Sequence, residues 1–169
     1  MGSGAGTFSA AFVSRAPRLT AVLLDLPAPL AVARGLLQRH PHRRRLAFKE
    51  ANYIADGFGE EEYDLILISN VTRVEDEKTN RLLVRKAHRA LKPGGRLVIH
   101  DYVLEPDRTA PKFAALMSLH VLLFTGKGRA YTAAEYAGWM RKEGFGRISR
   151  IPICRGSLHP SLAVVGRKD

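Results

Sequence analysis

Short aliphatic runs alternate along this chain with longer segments of helical periodicity. That alternation restricts it to an α/β fold on a mostly parallel sheet with helices on both faces. The runs lie at 20–25 (TAVLLD), 46–51, 64–69 (DLILIS) and 96–104 (RLVIHDYVL), with two more at 147–153 and 161–165. The first and third are almost continuously apolar, as strands covered on both faces should be. Helices are predicted over 5–14, 29–39, 75–91, 112–124 and 133–143. The second carries Leu30, Ala33, Leu36 and Leu37 on one stripe, with Pro29 in its first turn. The third is acidic early and basic late, with Leu82, Leu83, Ala87, Ala90 and Leu91 on one face. Lys92-Pro93-Gly94-Gly95 stops it and turns the chain into the next strand. Segment 112–124 is apolar around most of its circumference, which predicts burial or the lining of a pocket. The last helix follows Thr132 as N-cap, with Glu135 at the capping-box position and Gly144 at its end.

With 169 residues and 46% apolar content, the expectation is a single domain over 1–169. No apolar run approaches the roughly 18–20 residues of a membrane-spanning helix. The Gly/Ser/Ala-rich start has no basic segment ahead of an apolar one, so no signal peptide is expected and the cytoplasm is the default location. A lone cysteine, Cys154, excludes an internal disulfide framework and a cysteine zinc cluster, and carries no functional signal. No metal site is expected. The net charge of +11 suggests an anionic partner such as nucleic acid or a membrane surface. The positive residues are nevertheless spread along the chain, apart from Arg43-Arg44-Arg45 beside Arg39, His40 and His42. Without a basic tail or an aromatic-interleaved basic strand, a solvated basic surface is the expected reading.

The chain opens with Gly2-Ser3-Gly4-Ala5-Gly6 ahead of the first helix, and Asp25 closes the strand that follows. Glycines permit a sharp turn and close approach of a ligand, a helix N-terminus offers free N–H groups, and an acid closing the next strand can accept ribose hydroxyls. The sequence ALKPGGRLVI (90–99), preceded by YDLILISNV (63–71), resembles class I S-adenosylmethionine-dependent methyltransferases of Rossmann-like fold. Within them it is most similar to the O-methyltransferases that modify hydroxyneurosporene, polyketides and plant phenols. GTF (6–8), LDLP (24–27), SNV (69–71), NRLL (80–83) and GRAYTAAEYAGWMRKEGF (128–145) fit in order, so the resemblance runs over about 2–166. It implies S-adenosylmethionine as cofactor. Gly2, Gly4 and Gly6 then fall on the loop passing its methionyl part, and Asp25 on the ribose. Asn52 would present a carbonyl to the adenine amino group, with Tyr53 beside the ring, and Ser69 and Asn70 would lie next to the sulfonium.

Two departures accompany the resemblance. The chain starts at the glycine loop, so the family's first, mid-sheet strand and its helical N-terminal dimerisation domain have no counterpart. The strands flanking the gap should either keep unpaired backbone groups or be forced together. A homodimer is expected only if such a domain exists. Further, Arg73 occupies the position where many relatives have a histidine base, and a guanidinium stays protonated. It could pair with an acidic substrate, stabilise a phenolate, or be a surface residue. His120, in the apolar segment 112–124, is an alternative base or a core histidine, and His100-Asp101 is a second candidate pair. The implied activity is O-methylation of a small aromatic or polyketide-like hydroxyl compound, with no membrane partner. The alternatives are a truncated, non-catalytic relative, or a nucleic-acid methyltransferase favoured only by the charge.

Overall fold

A computed structural model of the chain describes residues 1–153 and 156–169; Cys154 lies outside the described residues. The chain divides into two compact units, Met1–Gly57 and Phe58–Asp169.

The first unit runs α1 (Thr7–Arg15), β1 (Ala21–Asp25), α2 (Pro27–Leu37), a 3-10 turn (Arg43–Arg45) and β2 (Leu46–Glu50). The two strands pair in parallel, from Ala21 opposite Leu46 to Asp25 opposite Glu50. Val13 of α1, Leu23 of β1, Leu30, Ala33 and Leu37 of α2, and Leu46 of β2 form its buried core. Leu36, expected on the buried stripe of α2, is instead 66% exposed. At about 100° per residue it sits a quarter-turn or more away from the face shared by Leu30, Ala33 and Leu37.

The second unit contains β3 (Tyr63–Ser69), a 3-10 turn (Thr72–Val74), α3 (Glu77–Ala90), β4 (Leu91–Asp101), α4 (Lys112–Thr125), α5 (Ala133–Lys142), β5 (Phe145–Ile153) and β6 (Ser161–Lys168). Its sheet has the order β3-β4-β6-β5. The β3–β4 pair is parallel, but β6 runs antiparallel to both β4 and β5. The mostly parallel expectation thus holds except for β6, since β5 and β4, both antiparallel to it, run in the same direction. The β5–β6 connection is seven residues long, too short for the dozen or more that a parallel crossover needs, so β6 turns back antiparallel. Its buried residues include Ile68, Leu83, Leu97, Ile99, Met140 and Val164, and the rings of Tyr131, Tyr136 and Trp139 pack on one another.

Among the described residues, six strands form two sheets, and β1 and β3 are each paired along one side only. The stop at 92–95 also takes another form. Helix α3 ends at Ala90 and β4 begins at the next residue. The Lys92–Gly95 stretch is a bulge, across which the partner changes from Tyr63–Leu91 to Leu65–Arg96. Gly95 is required there, because a Cβ would stand 2.8 Å from the Lys92 carbonyl oxygen.

Helix α4, expected to be buried or to line a pocket, buries little of its apolar surface. Only Ala114 and Val121 are buried, while Leu116, Leu119, Leu122, Leu123 and Phe124 are exposed. Among the described residues, no helix is long and apolar enough to cross a membrane.

Candidate functional site

The sequence-predicted residues divide between the units, six in the first and the remainder in the second. In the first unit, residues 2–6 fold over the end of β1. Gly2, Gly4 and Gly6 all take the left-handed backbone region that favours glycine, with φ of 60°, 49° and 79°. The loop is tied down by Ser3 N–H to the Leu24 carbonyl (3.2 Å) and Gly6 N–H to the Ser3 carbonyl (2.9 Å). Asp25 completes it: Oδ2 accepts from Gly4 N–H and Oδ1 from Leu26 N–H, both at 2.8 Å. A carboxylate has about four lone-pair positions, so these two N–H groups do not exhaust it, although the buried Met1 ammonium also feels its charge. The side-chain oxygen of Ser3 is buried with no hydrogen-bond partner among the described residues. A Cβ on Gly4 would meet nothing within 4 Å. Open space, an orphan hydroxyl and a partly spent carboxylate fit a polar, hydroxylated cofactor at this loop. Gly6 serves a different purpose, since a Cβ there would stand 2.5 Å from Leu23 and 2.7 Å from Leu37 in the core.

Asn52 and Tyr53 begin the turn after β2. The Asn52 Oδ1 accepts from the N–H groups of Ile54 (2.9 Å) and Ala55 (3.4 Å), and Asp56 accepts from Asn52 N–H at 2.7 Å. The carbonyl that the resemblance directs at an adenine amino group is therefore engaged in closing a local turn. Tyr53 is half-buried.

In the second unit, Ser69 and Asn70 end β3, with Asn70 in the left-handed region at φ 58°. His100 and Asp101 do not form a pair. Successive strand residues point to opposite faces, and each goes to its own network. His100 bridges two hydroxyls, Ser69 at 2.8 Å on Nδ1 and Ser161 at 3.0 Å on Nε2. Burial lowers its pKa, outweighing the opposing pull of Asp101.

Asp101 is fully buried. Its Oδ1 accepts from Arg73 Nη1 (2.6 Å) and Tyr102 N–H (2.9 Å), and its Oδ2 from the Thr72 hydroxyl (2.8 Å) and Arg73 N–H (3.3 Å). The Tyr136 hydroxyl in turn donates to Thr72 Oγ1 at 2.7 Å. Burial, then the nearby Asp101 charge, pushes the Tyr136 pKa well above its usual 10, which keeps that phenol protonated. Sequence reasoning missed Thr72 and Tyr136, which no local pattern marks: they meet Asp101 only through the fold.

Arg73 is pinned by this arrangement. Its Nη1 also donates to Asn70 Oδ1 at 2.5 Å, and its Cζ lies 5.2 Å from the centre of the Tyr102 ring. The turn that carries it is held by Asn80 Nδ2 to the Thr72 carbonyl (2.8 Å) and by the Tyr131 hydroxyl to the Glu75 carbonyl (2.7 Å). Arg73 and Val74 form one wall of a pocket of about 180 Å³; Met117, His120, Val121, Phe124 and Thr125 of α4 form the other. His120 is exposed on α4, with its ring parallel to that of Phe124 at 6.4 Å. The apolar helix thus lines a pocket, as one half of the expectation had it, without being buried. Among the described residues, no cluster of side chains suits a metal ion.

A family model described as an O-methyltransferase domain matches residues 1–146. The chain is 32% identical to acetylserotonin O-methyltransferase of Gallus gallus, over 99% of this chain and 46% of the relative. The solved structure of an O-methyltransferase family 2 protein from Planctomyces limnophilus, in complex with apigenin, superposes with a TM-score of 0.88 at 33% identity, over 98% of this chain and 48% of that one. PigF with SAH superposes with a TM-score of 0.88 at 28% identity, over 99% of this chain and 49% of that one; PigF of Serratia is described as an S-adenosyl-L-methionine-dependent methyl transferase. The chain spans about half the length of the relatives it matches.

Proposed function

The chain belongs to the O-methyltransferase domain family, and on that premise we propose that it transfers a methyl group from S-adenosylmethionine to a hydroxyl of a small aromatic or polyketide-like molecule. The observation that carries this reading is the Asp25 carboxylate, held by Gly4 and Leu26 N–H groups that do not exhaust its lone pairs. Similar proteins supply the substrate class: one is named for acetylserotonin, another was solved with apigenin, and PigF was solved with SAH.

S-adenosylmethionine, when bound, supplies a methyl group already activated by its sulfonium charge. The protein's share is then positioning, exclusion of water and removal of one proton. On this reading Gly2, Gly4 and Ser3 pass the methionyl part of the cofactor and Asp25 accepts from its ribose, while Ser69 and Asn70 are further cofactor residues. The acceptor enters the pocket between Arg73 and α4. Arg73 cannot remove its proton, because a guanidinium stays charged. His120 lines the same pocket, and an imidazole is a competent acceptor near neutral pH, so it is our candidate base.

Arg73 also favours a second reading, a relative that binds the cofactor and transfers nothing. Calorimetric titration of the full chain with S-adenosylhomocysteine tests what both readings share. We expect saturable binding that weakens at least about tenfold in Asp25→Ala, the effect of losing a charged acceptor. No binding by the parent chain, or equal affinity in Asp25→Ala, overturns the proposal.

A further inference from the structure

The pocket of the second unit has one permanent cation in a mostly apolar wall, and that cation is only partly spent. A guanidinium carries five N–H donors. Both donors on Arg73 Nη1 are committed, to Asp101 Oδ1 and Asn70 Oδ1. Among the described residues, no hydrogen bond engages Nε or Nη2. Those two nitrogens form the forked edge that matches the two oxygens of a carboxylate. The Tyr102 ring and the committed Nη1 fix the plane of the group, so little side-chain entropy remains to be lost on binding.

Asp101 does not compete for that edge. Its two oxygens already hold four donors, from Arg73 twice, Tyr102 and Thr72, so it cannot swing toward Nε and Nη2. It does offset part of the guanidinium charge. A monoanion therefore suits the site better than a dianion such as a phosphate monoester, and a single phenolate oxygen would leave one prong unused. The other polar groups of the wall are fewer than they look. Thr125 Oγ1 donates to the Val121 carbonyl and accepts from Gly128 N–H, both at 2.8 Å, which leaves His120. Met117 and Phe124 supply apolar surface on the α4 wall. The volume of about 180 Å³ exceeds the roughly 150 Å³ of an apolar cavity able to hold benzene.

We infer that this pocket selects a single aromatic ring bearing a carboxylate, which docks on the Nε–Nη2 edge of Arg73 while the ring lies against Met117 and Phe124. That this ring is the methyl acceptor rests on the function proposed above; the selectivity for the carboxylate does not.

Nuclear magnetic resonance titrations of the full chain with 4-hydroxybenzoate and its uncharged isostere 4-hydroxybenzamide test it. The expected result is binding of the benzoate about tenfold or more tighter than the amide, with movement of the His120 ring signals. Arg73→Gln should erase the preference. Arg73→Lys keeps a cation beside Asp101 but lacks the fork, and should retain only a small part of it. Equal affinities in the parent chain, immobile His120 signals, or a preference that survives Arg73→Gln would each overturn the inference. If Arg73→Gln does not fold, the parent chain and Arg73→Lys decide alone. Carboxylate preference without S-adenosylhomocysteine binding would keep the inference and remove the proposed function; the reverse result would do the opposite.

Discussion

Gly4 and Gly6 share a left-handed backbone, yet a methyl group added to each would meet different surroundings. At Gly6 it would press on Leu23 and Leu37, two fully or nearly fully buried side chains of the first unit. At Gly4 it would project into open space. Both substitutions carry the cost of holding an L-residue at positive φ, about 1–2 kcal/mol. Only Gly6→Ala adds overpacking, typically another 1–3 kcal/mol. Gly6→Ala should therefore lose backbone amide protection across β1 and β2, and Gly4→Ala should keep most of it while losing affinity for S-adenosylhomocysteine. Hydrogen exchange beside calorimetry separates the two, and identical behaviour of both variants would remove the distinction. The repeated glycines of the motif therefore do not share one task.

At the scale of elements, what could be read in advance was what neighbours in sequence decide. The capping box at Thr132 and Glu135 needs only four consecutive residues, and both of its hydrogen bonds are present. Strands β1, β2 and β3 begin within a residue of the expected positions, because apolar runs and their flanks are local signals. What could not be read were features made by distant partners. The antiparallel β6 depends on which strand it joins, and Asp101 meets Thr72 and Tyr136 from elsewhere in the chain. The arginine run 43–45 is the sharpest case. It reads as a basic patch, but Arg45 turns inward and its Nη1 lies within 2.8, 2.9 and 3.2 Å of the carbonyls of Ala16, Pro17 and Leu19. Its Nη2 reaches the Val13 carbonyl at 2.5 Å. It thus serves the exposed end of α1, whose last carbonyls have no partner within the helix. Arg43 is also occupied, by the Leu46 carbonyl at 2.8 Å and the Phe48 ring at 4.7 Å. Arg45→Ala should destabilise the first unit by about 2 kcal/mol, as loss of charged hydrogen bonds does. Arg44→Ala, at an exposed position, should stay within about 0.5 kcal/mol. Amide exchange in α1 and β1 reads both, and equal effects would show that the run acts only as surface charge.

For the molecule as a whole, the +11 charge sets the direction in which pH acts. That figure counts all six histidines as neutral, so acidification adds charge to a chain already strongly positive. Two histidines of the second unit sharpen the effect. His88 packs edge-on against the Phe145 ring at 4.9 Å, and burial, followed by the Lys168 charge, lowers its pKa below the usual 6.5. His100, between its two serines, is lowered in the same direction, chiefly by burial. Where the folded value lies below the unfolded one, the unfolded chain binds more protons in the interval between them. The contribution to stability is therefore complete above about pH 6.5 and is lost as pH falls below it toward the folded values. Trp139 is the only tryptophan and packs on Tyr131 and Tyr136, so its fluorescence reports unfolding of this unit alone. Guanidinium titrations at about pH 7.5 and about pH 5.5 should show a lower midpoint at the acid value. In a His88→Asn, His100→Asn double variant, where asparagine can still hydrogen-bond but cannot titrate, the decline should shrink. A decline of the same size in that variant would assign the pH dependence to the diffuse positive charge, and neither imidazole would then act as its sensor.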